Sequence, residues 1–302
     1  MVTDAIDRFA QTPRGHAFFA AYDTLIGRWP IDTDIVDLSS RFGTTRVTRC
    51  GAAGSAPLLM LPGAGATSAA WWTTASVLAD RFRVHAVDPL GDAGRSIPAG
   101  DPITTTGDLL EWLDTVLEGL DAADVPAASD GHPPRWFIVG HSYGAMVALA
   151  AALRNQDRYR RLVLLDPTGC FTRLSAAYLA RAVPLLVKPT PAYARRLLTW
   201  ETRGAELDPV WESLVTAGAA FPTAKTVVPQ RPKPIALGRL TLPTTVVLAG
   251  NSRAHHVDRV EAAARRVIPD VSVRTVPDAT HHTMPMWPAD ATADAILEGL
   301  TR

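Results

Sequence analysis

Gly140-His141-Ser142-Tyr143-Gly144 is the stretch that decides the fold of this chain. The four residues before it are apolar and predict a buried strand, and the nine residues after it are rich in helix formers. A strand, Gly-x-Ser-x-Gly and a helix together form the context of a nucleophile elbow, which raises a serine hydroxyl above the carboxyl edge of a parallel sheet. The same five residues could instead form a glycine-rich surface turn, but the flanking segments favour the elbow.

The composition describes an ordinary globular protein. The chain has 302 residues, of which 47% are hydrophobic and 20% are charged, and its formal net charge is zero. Such a length and apolar content support a sizeable core. A balanced charge does not predict a nucleic-acid partner. The apolar runs are too short to cross a membrane, so no membrane partner is expected either.

The cysteines and the first residues bear on the compartment. Cys50 and Cys170 are the two cysteines of the chain, far apart in sequence, which is not a disulfide framework. Residues 1–7 are polar and acidic, unlike a signal peptide. We therefore expect a cytoplasmic protein whose cysteines are small buried apolar residues.

Outside the elbow, predicted strands alternate with predicted helices. Apolar runs of strand length fall at 44–50, 58–61, 84–87, 136–139, 162–166, 245–250 and 271–276. Helical patterns fall at 68–79, 109–120, 145–153, 257–267 and 289–300. This alternation predicts an α/β fold, in which a mostly parallel central sheet is flanked by helices on both faces.

Three segments are expected beside one another. Residues 1–43 form an N-terminal helical arm, whose apolar residues recur at helical spacing and pack on the main body. Residues 44–167 and 241–302 form the α/β core, with an exposed loop at 122–135. Residues 168–240 are broken by prolines but rich in apolar side chains, which predicts an inserted helical cap over the carboxyl edge of the sheet.

Ser142 needs a base, because a serine hydroxyl alone is a weak nucleophile. His281 follows the last predicted strand, so its side chain can lie above the elbow beside Ser142, and it is the candidate base. The adjacent His282 is the competitor, and a structural role is the third possibility. The pair could also bind a metal, but no convincing cysteine or carboxylate ligand accompanies it, so no metal site is predicted.

An oxyanion hole requires two backbone donors near Ser142. The N–H of Tyr143, directly after the nucleophile, is the first. The loop Pro62-Gly63-Ala64-Gly65 supplies the second, for which Ala64 is the candidate, since glycine on either side lets the backbone approach a substrate closely. Backbone donors of this kind contribute about 3 kcal/mol each to stabilising the developing charge. The loop could also be a simple strand-terminating turn.

At this point the chain resembles the α/β-hydrolase fold superfamily from about residue 44 to 302. The elbow, Leu61-Pro62-Gly63, the loop 88–96 and His281 carry the resemblance. More narrowly, 22–30, 41–45 and 87–92 are similar to bacterial carboxylesterases of the naproxen-esterase type. The resemblance implies ester, amide, lactone, epoxide or thioester chemistry, with no cofactor in most members.

The position of the acid departs from the family pattern. The family usually places a carboxylate three residues after the glycine that ends a late strand, and this chain has Arg253 there. Asp166 is one replacement, because some family members carry the acid after the strand that follows the elbow helix. Asp258 is a second, and a site without a functional acid is the third possibility. Asp88 and Asp278 are expected to be structural, and His255 and His256 to be solvated in a polar loop.

The sequence therefore predicts a serine hydrolase that cleaves an ester-type acyl bond through an acyl-enzyme. Ser142, His281 and Asp166 are the predicted catalytic residues, with Ala64 and Tyr143 as the oxyanion hole. The apolar cap predicts a small or medium hydrophobic substrate. Two alternatives stay open: an acyltransferase, thioesterase or cyclase that uses the same serine and histidine, and a non-catalytic ligand receptor. The oligomeric state is not predicted.

Overall fold

A nine-stranded sheet forms the centre of the computed structural model, which describes residues 2–30, 32–124 and 133–301. The strands are β1 (Asp34–Ser40), β2 (Gly43–Cys50), β3 (Ala56–Leu61), β4 (Phe82–Val87), β5 (Ile97–Pro98), β6 (Trp136–His141), β7 (Tyr159–Leu165), β8 (Thr244–Ala249) and β9 (Val271–Val276). Their order is β1-β2-β4-β3-β6-β7-β8-β9, with the short β5 paired to β2. All neighbours from β4 to β9 are parallel, and β2 is antiparallel to each of its partners. The predicted mostly parallel sheet is confirmed.

Helices cover both faces of this sheet. The helices are α1 (Val2–Ala10), α2 (Pro13–Ile26), α3 (Trp72–Leu78), α4 (Thr106–Asp124), α5 (Tyr143–Arg154), α6 (Ala176–Val187), α7 (Pro191–Glu201), α8 (Pro209–Gly218), α9 (Pro234–Leu237), α10 (Val257–Val267) and α11 (Ala289–Thr301). Side chains of α4, α5 and α10 pack in one apolar cluster, and those of α3 and α11 pack in a second. Strands covered on both sides need apolar residues at every position, and this is why β3, β4 and β8 are buried over nearly their whole length.

The parallel strands bring their carboxyl ends to one edge. The loops that follow β3, β6, β7 and β9 carry Gly63, Ser142, Asp166 and His281 in turn. These loops come from far apart in the sequence, yet they meet because their strands are close in the sheet. An open parallel sheet places its ligand site at this edge.

The described part of the first 43 residues contains the helices α1 and α2 and the strand β1. Thr12 caps α2 by accepting a hydrogen bond from the N–H of Gly15 at 3.0 Å. The apolar side of α2 packs on α8 and on the chain just after it, where the Phe18 and Phe221 rings lie 5.2 Å apart. β1, an edge strand, was not anticipated, because its short apolar stretch is interrupted by Asp37 and followed by two serines.

Residues 168–240 contain helices α6 to α9, with irregular chain between α8 and α9. Two of these helices reach the edge where His281 lies: the Tyr178 ring of α6 is 6.1 Å from the His281 ring between centroids, and Glu201 of α7 accepts from the N–H of His281 at 2.8 Å. Of the loop expected at 122–135, α4 continues to Asp124, residues 133–135 are irregular, and residues 125–132 lie outside the described part of the chain. Among the described residues no helix combines the length and apolarity needed to span a membrane.

Candidate active site

Ser142 sits in the strained turn that the elbow motif predicts. Its φ of 53° and ψ of −112° are unusual for a residue with a side chain, and such backbone costs on the order of 1–3 kcal/mol. The N–H of Ser142 donates to the Leu165 carbonyl at 3.0 Å, which fixes the turn against β7. A side chain at Gly140 would lie 2.3 Å from the carbonyl oxygen of Gly144, so the motif requires glycine there.

The structure brings Ser142, His281 and Asp166 into one chain of hydrogen bonds. Oγ of Ser142 lies 2.9 Å from Nε2 of His281, and Nδ1 of His281 lies 2.6 Å from Oδ2 of Asp166. An ionised carboxylate only accepts, so Nδ1–H donates to Asp166 and the lone pair of Nε2 faces the serine. This is the tautomer that accepts a proton from a serine hydroxyl.

The Asp166 carboxylate is buried but accepts four hydrogen bonds. Its Oδ1 accepts from the N–H of Ala249 at 3.0 Å and from Nε2 of His255 at 2.9 Å. Its Oδ2 accepts from the hydroxyl of Ser252 at 2.8 Å as well as from His281. Burial opposes ionisation, but the attraction and hydrogen bond of His255, with that of His281, hold the pKa of Asp166 below its usual range.

The other positions weighed for the acid do not reach His281. Arg253 points towards α7, where its guanidinium donates to the Trp200 carbonyl at 2.8 Å and lies over the Trp200 indole ring. Asp258 is exposed in the first turn of α10. Asp88 is buried elsewhere, where it accepts from the N–H of Ser68 at 2.7 Å, and Asp278 is exposed.

His255 corrects the expectation of a solvated loop. Its side chain is only 1% exposed and lies against Asp166, whereas the neighbouring His256 is exposed as expected. The loop is covered because the N–H of Ser175, at the start of α6, donates to the Ala254 carbonyl at 2.7 Å. Local sequence could not separate the two histidines, since this cover comes from a distant segment.

A carboxylate from α7 holds the backbone of the loop that carries His281 and His282. Glu201, at the end of α7, is fully buried and accepts from the N–H of His281 at 2.8 Å and of His282 at 3.1 Å. Nδ1 of His282 lies 3.2 Å from the same carboxylate, so His282, the alternative candidate for the base, faces α7. Burial opposes ionisation of Glu201, but the hydrogen bonds and charges of the two histidines lower its pKa to about 2.

His141 ties the elbow to the same loop. Its Nε2 lies 2.8 Å from the His281 carbonyl oxygen, to which it donates. Burial, reinforced by the charge of His281, lowers the pKa of His141 to about 3. A neutral imidazole suits this place, because Nδ1 of His141 has no hydrogen-bond partner in the described residues. The sequence analysis did not identify His141 or Glu201 as residues of the site. Glu201 could have been noticed as the one acidic residue in the basic and apolar segment 168–204.

Ala64 and Tyr143, the predicted oxyanion-hole residues, lie in the loop after β3 and at the start of α5. No described residue accepts a hydrogen bond from the N–H of Ala64 or of Tyr143. The loop before Ala64 packs closely, since a side chain at Gly63 would lie 3.3 Å from Cβ of Ser142. Asp92 holds the far end of this loop by accepting from the N–H of Gly65 at 2.9 Å.

An apolar cavity of about 660 Å³ adjoins the elbow. Pro62, Tyr143 and Gly144 belong both to its wall and to the surroundings of Ser142, although Ser142 and His281 do not line it. The Tyr143 hydroxyl donates to the Val227 carbonyl at 2.7 Å, which joins the elbow to the chain that follows α8. The volume is that of a pocket for a small or medium apolar group.

Comparisons with known proteins agree with this fold. A family profile described as "Alpha/beta hydrolase family" matches residues 58–295. Carboxylesterase YbfK of Bacillus subtilis is 30% identical over 173 residues, which are 57% of this chain and 53% of that protein. The chain thus matches about half the length of this curated relative.

No group of three or more potential metal ligands occurs in the described part of the chain.

Two solved structures share the fold over nearly their whole length. The structure of carboxylesterase CesB (YbfK) from Bacillus subtilis has a TM-score of 0.83 at 23% identity, with 96% of this chain and 99% of that chain covered. The naproxen esterase from the same organism has a TM-score of 0.82 at 22% identity, with 95% and 98% covered. The α/β-hydrolase fold and the resemblance to these carboxylesterases, predicted from the motifs, are confirmed.

Proposed function

Because the chain belongs to the alpha/beta hydrolase family, we propose that it is a serine hydrolase that cleaves carboxylic esters of small or medium hydrophobic substrates. One observation carries the proposal: Ser142, His281 and Asp166 form a continuous chain of hydrogen bonds of 2.9 and 2.6 Å. The relatives named carboxylesterase support the same activity.

The proposed reaction begins with attack of the Ser142 oxygen on the ester carbonyl carbon. His281 takes the hydroxyl proton at Nε2, and Asp166 stabilises the imidazolium that forms. The N–H groups of Ala64 and Tyr143 donate to the negative oxygen of the tetrahedral intermediate. His281 returns the proton to the departing alcohol, which leaves an acyl-enzyme. Water, deprotonated by His281, then releases the acid and restores Ser142.

The proposed substrate has an apolar arm. The cavity beside Tyr143 is lined mainly by side chains such as Leu61, Leu90, Ile103 and Val147. Burial of an apolar group of the substrate against these side chains would stabilise the complex. Hydrolysis of an ester with a bulky apolar acyl or alcohol group follows from this composition.

The test is hydrolysis of a series of p-nitrophenyl esters by the wild type and by Ser142→Ala. The wild type should release p-nitrophenol, with a preference for medium apolar acyl groups, and Ser142→Ala should be inactive at equal folded concentration. Adding a small alcohol separates hydrolysis from acyl transfer, because a transferase would form the new ester in place of the acid. Equal turnover by both proteins would refute the proposal, and tight ligand binding without turnover would support a receptor instead.

A further inference from the structure

The outer face of α6 exposes large apolar side chains. Leu179, Val183, Leu186 and Val187 are 44%, 50%, 75% and 79% exposed, respectively. In this helix Ala182 is the buried residue and Arg181 is the charged one. A contiguous exposed patch of this kind marks a site of interaction with another apolar surface.

A groove with two guanidinium groups runs beside this face. It has a volume of about 350 Å³, lies between α6 and α7, and is lined by Arg181, Tyr193 and Arg196 among small and apolar residues. The Arg181 guanidinium lies over the Trp200 ring at 4.7 Å. Within the described ranges neither arginine has a carboxylate partner, so both can receive an anion from outside.

The charge of the surrounding segment has one sign. Residues 168–204 carry six Lys and Arg side chains and one acid, the buried Glu201, although the net charge of the whole chain is zero. All six cations are exposed: Arg173, Arg181, Lys188, Arg195, Arg196 and Arg203. The segment around the exposed apolar helix therefore carries a net positive charge, although Arg195 is paired with Glu212 at 2.7 Å.

We propose that the outer face of α6 and the α6–α7 groove dock on the surface of an anionic lipid membrane. The apolar side chains enter the boundary between headgroups and acyl chains, and Arg181 and Arg196 bind lipid phosphates. A second copy of the chain is a poorer occupant, because a two-fold contact would place this basic surface against itself.

Docking at this face would affect the candidate active site, because α6 contacts both. Tyr178, on the inner side of α6, has its ring centroid 6.1 Å from those of both His281 and His282. Ser175, which caps α6, donates from its hydroxyl to the Arg253 carbonyl at 2.7 Å. Any change in hydrolysis on docking rests on the proposed function, whereas binding to lipid does not.

The test measures co-sedimentation of the full chain with vesicles of phosphatidylcholine and with vesicles of equal phosphatidylcholine and phosphatidylglycerol. The wild type should partition onto the anionic vesicles and be released by added salt. Replacing Arg181 and Arg196 together by Gln should weaken partitioning by about tenfold or more. Replacing Leu186 and Val187 together by Ser should weaken it at least about tenfold.

Matched controls lie elsewhere on the surface. Ile235→Ser removes an apolar side chain that is 68% exposed, and Arg266→Gln removes an exposed cation of α10; both should bind as the wild type does. Hydrolysis of a soluble ester without vesicles should be unchanged in all these variants.

Three results would overturn the inference. The first is that the wild type does not bind anionic vesicles, and the second is that the paired variants bind them as well as the wild type does. The third is that the protein does not bind lipid but forms a concentration-dependent dimer, which the Leu186 and Val187 substitutions abolish. Binding of a protein that hydrolyses no ester would leave the docking surface intact and refute only the proposed function.

Discussion

Oδ2 of Asp166 lies 2.6 Å from Nδ1 of His281, although the chain has arginine where its family usually carries the acid. The contact is possible because β7 and β9 lie on either side of β8, so that the residues after them meet at one edge. Asp166 also has a φ of 39°, which aspartate tolerates better than most residues with a side chain. In this chain the carboxylate beside His281 therefore comes from the end of β7, the strand that follows α5.

Asp166→Asn should lower kcat by on the order of 10⁴ with the fold retained. An asparagine amide can donate to Nδ1, which would put the ring proton on Nε2 and leave no base facing Ser142. Asp258→Asn, at the exposed alternative position, is the matched control and should stay near normal. Steady-state kinetics with one p-nitrophenyl ester decides between them, and near-normal turnover of Asp166→Asn would leave a Ser-His dyad.

The fold and the central residues of the site could be predicted because their signals are local. The elbow places a serine between a strand and a helix, and His281 follows the last strand, so each position can be recognised within about ten residues. Asp166 was one of three open possibilities, since choosing among them required knowing which strands are adjacent. In the structure β7 and β9 both pair with β8, which brings Asp166 beside His281.

His255 and Glu201 show what local sequence cannot give. His255 lies 89 residues from Asp166, and Glu201 lies 80 residues from His281. Each is buried by contacts with distant segments, and a polar residue in a loop or at a helix end looks the same whether those contacts exist or not. Long-range burial, more than side-chain chemistry, decides whether such a residue belongs to a site.

A serine-directed fluorophosphonate should label the native protein at Ser142. The label requires a hydroxyl activated by its hydrogen bond to His281, so labelling should vanish in Ser142→Ala and fall sharply in His281→Ala. Mass spectrometry of the labelled peptide locates the site. Undiminished labelling of His281→Ala would remove this histidine from the mechanism.

His255→Leu should lower kcat by about tenfold to a hundredfold, because a hydrogen bond to a charged group contributes about 1.5–3 kcal/mol. His255 helps to hold the pKa of Asp166 low, so its removal should raise that pKa. Activity on the acid side should then be lost at a higher pH than in the wild type. A pH profile of kcat/KM checks this, with His256→Leu as the exposed neighbour that should change nothing. Identical profiles for the two variants would show that His255 only fills space.

Both cysteines should be inert in the folded protein. Cys50 and Cys170 are buried, and burial raises the pKa of each thiol to about 12. Ellman's reagent attacks the thiolate, so the native protein should not react at neutral pH. Denaturation in guanidinium should release both thiols. Rapid reaction of one thiol before denaturation would contradict the burial of that residue.

Glu201→Gln should destabilise the protein at neutral pH and make its stability less dependent on acid. The folded-state pKa of Glu201 is lowered from 4.5 to about 2, so its ionised form stabilises the fold above the unfolded-state pKa. That contribution should be lost as the pH falls from about 4.5 to about 2. The shift corresponds to on the order of 3 kcal/mol at neutral pH. Urea unfolding across this pH range should therefore show the stabilities of the wild type and Glu201→Gln converging in acid.

Glu212→Gln is the control, because it removes a surface carboxylate paired with the exposed Arg195 and should cost less than about 1 kcal/mol at any pH. A constant difference between the wild type and Glu201→Gln down to pH about 2 would mean that the carboxylate charge does not hold the histidine loop.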